Sequence, residues 1–304
     1  MHEITRTIAA VKCLTEAGKR GVLITVVAAR GSTYRRPGAR AVISEEGAIT
    51  GAISGGCLER DIAERIKKLL DDPRPTFMVY DTTNNGDVLF GLGLGCRGEL
   101  DVYVEPFDAR HLPRLVTEFR WNGREPVLWT TTHEGRELLV EVIRPERAVV
   151  VFGGGGDVDP VARLAQQVGW RVSVIAPKDV HPEEVHEKVD LNAFDAAVIM
   201  THNFLHDVAL LTAVLPSSIP YVGLLGPKSR GEELLAQIGN VPADQLAKLH
   251  SPIGLDLGAE TPDEIALSII AEIQGALTSR SAHSLREIQG AIHARGSAAV
   301  NVAR

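Results

Sequence analysis

Apolar residues at Ile4, Ile8, Val11 and Leu14 recur at helical spacing, and after Gly18 and Gly21 the run Val22-Leu-Ile-Thr-Val-Val27 reads as a buried strand. Leu58, Ile62, Ile66 and Leu69 predict a second helix that begins at Cys57, and Asp71-Asp-Pro-Arg-Pro75 stops it. Further apolar runs predict strands at 77–80, 100–104, 126–131 and 138–143. From residue 148 the rhythm changes: strands at 148–152, 171–175, 196–200 and 221–225 alternate with glycine turns and helical patterns through about Gly239. Such alternation predicts a parallel sheet covered on both faces. Thr261-Pro-Asp-Glu264 has the form of a capping box with proline at the first helical position, opening a helix through Ile265, Ile269 and Ile273. The expected fold is α/β: a mixed α/β domain over 1–145, a Rossmann-like, doubly wound parallel-sheet domain over 146–277, and a polar helical tail over 278–304. Arg144-Pro-Glu-Arg147 is the expected linker.

Composition narrows the function. The chain of 304 residues is 44% hydrophobic and 23% charged, as expected of a soluble protein with two cores. Its formal net charge of -7 argues against nucleic-acid binding. Three cysteines are too few for a disulfide framework and lack the paired spacing of a structural zinc site, which suits a reducing cytoplasm. Neither a signal peptide nor a membrane span is expected, because no apolar run approaches about 20 residues.

Candidate chemistry in the first half centres on two glycine-flanked cysteines, Cys57 in Gly51-Ala-Ile-Ser-Gly-Gly-Cys-Leu-Glu59 and Cys96 in Gly91-Leu-Gly-Leu-Gly-Cys-Arg-Gly98. Glycine lets backbone approach a ligand, and a helix start favours a thiolate at Cys57. Cys13 lies about 180° from Ile4 on an ideal helical wheel, off the apolar face, and is left out of the site. Arg30-Gly-Ser-Thr-Tyr-Arg-Arg-Pro-Gly-Ala-Arg40 concentrates four arginines with hydroxyls in one loop suited to an oxyanion. Ser32, Thr33, Arg35, Arg36 and Arg40, with Gly55 and Gly56, are the expected cofactor-binding residues there.

In the second half, Phe152-Gly-Gly-Gly-Gly-Asp-Val-Asp-Pro-Val161 links a strand to a helix that Asp159 would cap, with Pro160 at its first position. Gly153, Gly155 and Gly156 suit a diphosphate at that helix start, although Val158 holds the third place of G-x-G-x-x-G. The next strand ends in Ala176-Pro-Lys178 rather than the acid that binds the NAD ribose, which leaves Lys178 facing a 2′-phosphate or solvent. His202, Lys228 and Arg230 fall at the sheet edge where ligands bind, and His202 with His206 has helical spacing but no third metal ligand.

These motifs together carry a resemblance. Gly31-Ser-Thr-Tyr-Arg-Arg-Pro-Gly-Ala-Arg40, Gly55-Gly-Cys-Leu-Glu59 and Gly93-Leu-Gly-Cys-Arg-Gly98 resemble the N-terminal signatures of the XdhC/CoxI family, the xanthine dehydrogenase accessory proteins. Phe152-Gly-Gly-Gly-Gly-Asp157, Met200-Thr-His202, Tyr221-Val-Gly-Leu-Leu-Gly-Pro-Lys228 and the segment from His250 to Ile265 resemble its Rossmann domain. Ser54, Arg97 and Ala176 depart from the usual pattern.

The resemblance implies a maturation factor that binds molybdenum cofactor (molybdopterin), supports its sulfuration and inserts it into a xanthine-dehydrogenase-type molybdoenzyme. It further implies a cysteine desulfurase as sulfur donor and a homodimer. In that reading Cys57 is a ligand to the molybdenum or a sulfur handler, Cys96 a second sulfur contact, and Arg35, Arg36 and Arg40 an anion clamp. A chaperone is expected rather than a turnover enzyme. The alternatives are an NAD(P)-dependent oxidoreductase built on the Gly153 turn with His202 or Lys228 at its substrate, and a docking protein whose Rossmann domain is empty.

Overall fold

The computed structural model describes residues 3–81, 98–287 and 299–300. They form two units, one from the residues up to Pro145 together with 299–300, the other from Glu146 onward.

The first unit opens with α1 (Glu3–Glu16), β1 (Gly21–Gly31), β2 (Arg40–Ser44), β3 (Ile49–Gly51), α2 (Cys57–Asp71), β4 (Thr76–Asp81) and β5 (Gly98–Phe107). A short α3 (Arg114–Thr117) and a hairpin of β6 (Val127–His133) and β7 (Arg136–Ile143) follow. Five strands make an antiparallel sheet in the order β3-β2-β1-β5-β4. Its centre is covered on both faces, which is why β1 reads as a continuous apolar run rather than an alternating one. On one face Leu58, Ile62, Ile66 and Leu70 of α2 pack on Val22, Ile24, Ala41, Ile43 and Val102. On the other, Ile4 and Val11 of α1 meet Leu23, Val42, Phe107 and Ile143. The strand β2 is an addition to the expected set: Arg40 reads in sequence as the end of a basic loop, but pairs with Thr25 in the sheet.

The second unit contains β8 (Ala148–Phe152), α4 (Val158–Gln167), β9 (Arg171–Ile175), α5 (Val185–Lys188), β10 (Ala196–Ile199), α6 (Phe204–Val214), β11 (Tyr221–Leu224), α7 (Lys228–Ile238), α8 (Ala243–Leu246), β12 (Leu249–His250) and α9 (Pro262–Leu277). Its parallel sheet has the order β12-β11-β10-β8-β9, with α4 and α9 packed on one face and α5, α6 and α7 on the other. The strand order reverses between β8 and β10, and ligands bind such sheets outside the carboxyl ends of the strands at that switch. The capping box of α9 is complete: Thr261 accepts from the Glu264 N–H, and the Glu264 carboxylate accepts from the Thr261 N–H. The helix α4 begins two residues earlier than the sequence suggests, so Asp157, not Asp159, stands at its N-cap.

Beyond α9 the expected helical tail is reduced, among the described residues, to one 3-10 turn at Leu285–Glu287. Ala299–Val300 forms a strand, β13, paired antiparallel with β7. No helix among the described residues is long and apolar enough to cross a membrane.

Candidate functional site

A cleft of about 360 Å³ in the first unit is lined by Ser32, Thr33 and Tyr34 after β1, by Ser54, Gly55, Cys57 and Leu58 at the start of α2, and by Tyr80, Gly98 and Leu100. Gly98 makes the cleft possible: a β-carbon there would lie 2.6 Å from the Ser32 carbonyl oxygen and 2.7 Å from that of Arg30. Only glycine lets the chain after β1 fold back this closely over the start of β5.

Cys57 is half-buried and is the first residue of α2. The turn before it is held by Ser54, whose hydroxyl accepts from the N–H groups of Gly56 at 3.1 Å and Leu58 at 3.2 Å and donates to the Glu59 carboxylate. The same carboxylate accepts from the Ile53 N–H at 2.6 Å and the Ser54 N–H at 2.8 Å. Ser54 Oγ is 3.6 Å from Cys57 Sγ. Gly56 takes the left-handed φ of 105° that turns the chain into the helix. Ser54 and Glu59 thus act as a displaced capping box that fixes where the thiol points. Glu59 is 2% exposed. Burial by itself would raise its carboxyl, but the hydrogen bonds from Ser54 and the Ile53 N–H outweigh that and hold it below the usual range. Tyr80 donates to Asp61 at 2.7 Å, and burial followed by that contact raises its phenol, so it stays protonated.

The arginines divide. Arg30 pairs with Glu99 and Asp101, and Arg35 pairs with Glu3 at 2.6 Å. Arg40 is buried and paired with Glu141, and also donates to the Gly38 carbonyl. Side chains alternate along a strand, so Arg40 shares the face of Val42, the α1 side, whereas Ala41 and Ile43 face α2 and Cys57. The expected clamp of Arg35, Arg36 and Arg40 beside the thiol is therefore corrected: none of the three lines the cleft, and Arg35 and Arg40 are committed to carboxylates. Arg36 is exposed, with no ion-pair partner among the described residues. Ser32, Thr33, Gly55 and Cys57 come together as expected, Gly56 adjoins them, and Cys96 lies outside the described residues. Tyr34, Gly98 and Glu59 fall inside the motifs and Tyr80 inside a predicted strand, but the sequence reading does not single them out as site residues, although a glutamate at the third helical position is a capping signal.

In the second unit, Gly153, Gly155 and Gly156 form the expected turn between β8 and α4. A β-carbon on Gly153 would meet the Met200 carbonyl oxygen and the Val158 side chain, both at 2.8 Å. His202 follows β10 with a φ of 58° and donates from Nε2 to Asp157 at 2.7 Å. It precedes α6 and does not share a helix face with His206, whose N–H donates to Asn203 at 3.1 Å. No group of three or more metal-ligating side chains occurs among the described residues. Arg230 is not available to an anion, because it pairs at 2.7 Å with the buried Asp207, which also accepts from Thr201 at 2.5 Å. Lys228 is exposed at the start of α7, 4.0 Å from Glu232.

Residues 14–81 match the family described as the XdhC and CoxI family, and residues 149–273 match the XdhC Rossmann domain. A Bacillus subtilis protein named as a probable subunit of xanthine dehydrogenase is 30% identical over 86% of this chain and 94% of its own length. The Escherichia coli molybdenum cofactor insertion chaperone PaoD is 25% identical over 84% of this chain and 83% of its own length. A crystal structure described as a xanthine dehydrogenase from Bacillus halodurans superposes with a TM-score of 0.74 at 27% identity, covering 92% of this chain and 98% of that one. With both signature regions matched in order and a relative at this identity along nearly its full length, the chain belongs to the XdhC/CoxI family.

Proposed function

We propose that this protein binds molybdenum cofactor in the cleft of its first unit, supports its sulfuration with a cysteine desulfurase as donor, and delivers it to a xanthine-dehydrogenase-type molybdoenzyme. In this reading it works in the cytoplasm as a homodimer. The observation that carries the proposal is Cys57, a half-buried thiol at the mouth of a helix, lining a cleft of about 360 Å³. A relative named for insertion of the same cofactor supports it.

The chemistry of the residues suits such a cargo. Cysteine sulfur is a soft ligand for a metal held by a dithiolene, and Cys57 is placed to supply it, with Cys96 as the second sulfur contact. The rings of Tyr34 and Tyr80 and the side chains of Leu58 and Leu100 give apolar walls for a flat pterin, and the hydroxyls of Ser32 and Thr33 give hydrogen bonds. Arg36 is left to meet the phosphate tail.

The test is anaerobic loading followed by desalting, with retained pterin read by fluorescence and molybdenum by metal analysis. Cys57→Ser is expected to retain at least about tenfold less cofactor, a loss of about 1.4 kcal/mol in binding, with its unfolding transition unchanged. Equal retention by the variant and the native protein removes Cys57 from this role.

A further inference from the structure

A Rossmann-like sheet implies a dinucleotide, whose diphosphate would rest on the free amides at the start of α4 and against the glycines before it. The turn has that shape, but its own side chains occupy it. Asp157 stands at the N-cap without capping the helix, and its carboxylate folds back over Gly155, with Oδ1 only 2.6 Å from where a β-carbon on that glycine would lie. This is the surface that glycine leaves bare for a phosphate in a nucleotide-binding turn. The other oxygen, Oδ2, accepts from His202 Nε2 at 2.7 Å. Asp157 follows β8 and His202 follows β10, so the pair spans the switch point of the sheet.

The two basic side chains after β11 do not offset this negative charge. Arg230 is taken by Asp207 at 2.7 Å, and Lys228 is an exposed lysine beside Glu232. On the ribose side β9 runs into the buried Ala176, at the place where NAD-binding sheets carry the acid that accepts from the ribose hydroxyls. His202 sits at a φ of 58°, in the left-handed region that few residues other than glycine adopt.

We infer that Asp157, latched by His202, bars the glycine turn of the second unit to phosphate, so that this Rossmann-like unit does not bind NAD or NADP. The barrier is like-charge repulsion at close range together with occupation of the phosphate's place. The turn remains sound in geometry, so removing the charge lowers the barrier and removing the side chain opens the turn.

Calorimetric titration of the full-length protein with NADH and NADPH tests this, using the native chain, Asp157→Asn, which keeps the shape and removes the charge, and Asp157→Gly, which clears the turn. The native protein is expected to bind neither nucleotide more tightly than about 1 mM, and both variants to bind at least about tenfold more tightly than the native chain. Trp170, packed beneath α4, reports on the fold of this unit by its fluorescence. Micromolar binding by the native protein overturns the inference. So does the absence of any gain in Asp157→Asn and Asp157→Gly when their Trp170 emission matches the native.

Discussion

Replacing Glu59 with glutamine is a nearly isosteric change, and a surface substitution of that kind ordinarily alters stability by no more than about 0.5 kcal/mol. Here a much larger loss is expected. Glu59 Oε1 accepts from two backbone N–H groups, Ile53 and Ser54, and Oε2 accepts the Ser54 hydroxyl proton. A glutamine carbonyl can take over the first position. Its amide group then faces Ser54 Oγ, which already accepts from Gly56 and Leu58 and has no lone pair left to offer. A charge-assisted bond is lost, and N–H groups at a site 2% exposed are left without an acceptor. Together these cost about 2–3 kcal/mol.

Urea unfolding followed by tryptophan fluorescence in a Trp170→Phe background, which leaves Trp121 and Trp129 of the first unit, measures this loss. The pH dependence gives an independent reading. The folded-state carboxyl is held below its ordinary value, so its contribution is complete above the unfolded value of about 4.3 and fades as pH falls through the lower folded one. Native stability should therefore decline below about pH 4, and Glu59→Gln should lack that part of the decline. A variant within about 0.5 kcal/mol of native at pH 7, with the same acid slope, refutes the account of the α2 start.

Gly98→Ala places a carbon 2.6 Å from the Ser32 carbonyl oxygen and is expected to cost about 1–3 kcal/mol while reducing cofactor retention, measured by urea unfolding and pterin fluorescence. Arg40→Met strands Glu141, which is 12% exposed, and should destabilise the first unit by about 3–5 kcal/mol, whereas adding Glu141→Leu should recover most of that loss. No difference between the single and double variants in urea would show that the buried pair is not coupled.

Local pattern determined much of this protein. Helical spacing from Leu58 onward put Cys57 at a helix start, and Thr261 to Glu264 announced the cap of α9, because spacing and capping involve residues within a turn or two of each other. The alternation after residue 148 predicted the covered parallel sheet for the same reason. The motifs also held enough information to identify the family.

The tertiary structure alone decided which charged groups are free. The arginines of one basic segment find Glu3, Glu99, Asp101 and Glu141, carboxylates on three other elements, and only their packing shows that Arg36 has no ion pair among the described residues. The pairing of Arg40 with Thr25 sends its side chain to the face away from Cys57; a shift of one residue would have sent it to the other. Asp157 reads as one more residue after a glycine run until β10 brings His202 to it. Hydrophobic period and capping are properties of neighbours along the chain, whereas an ion pair is settled by whichever opposite charge the fold brings within about 4 Å.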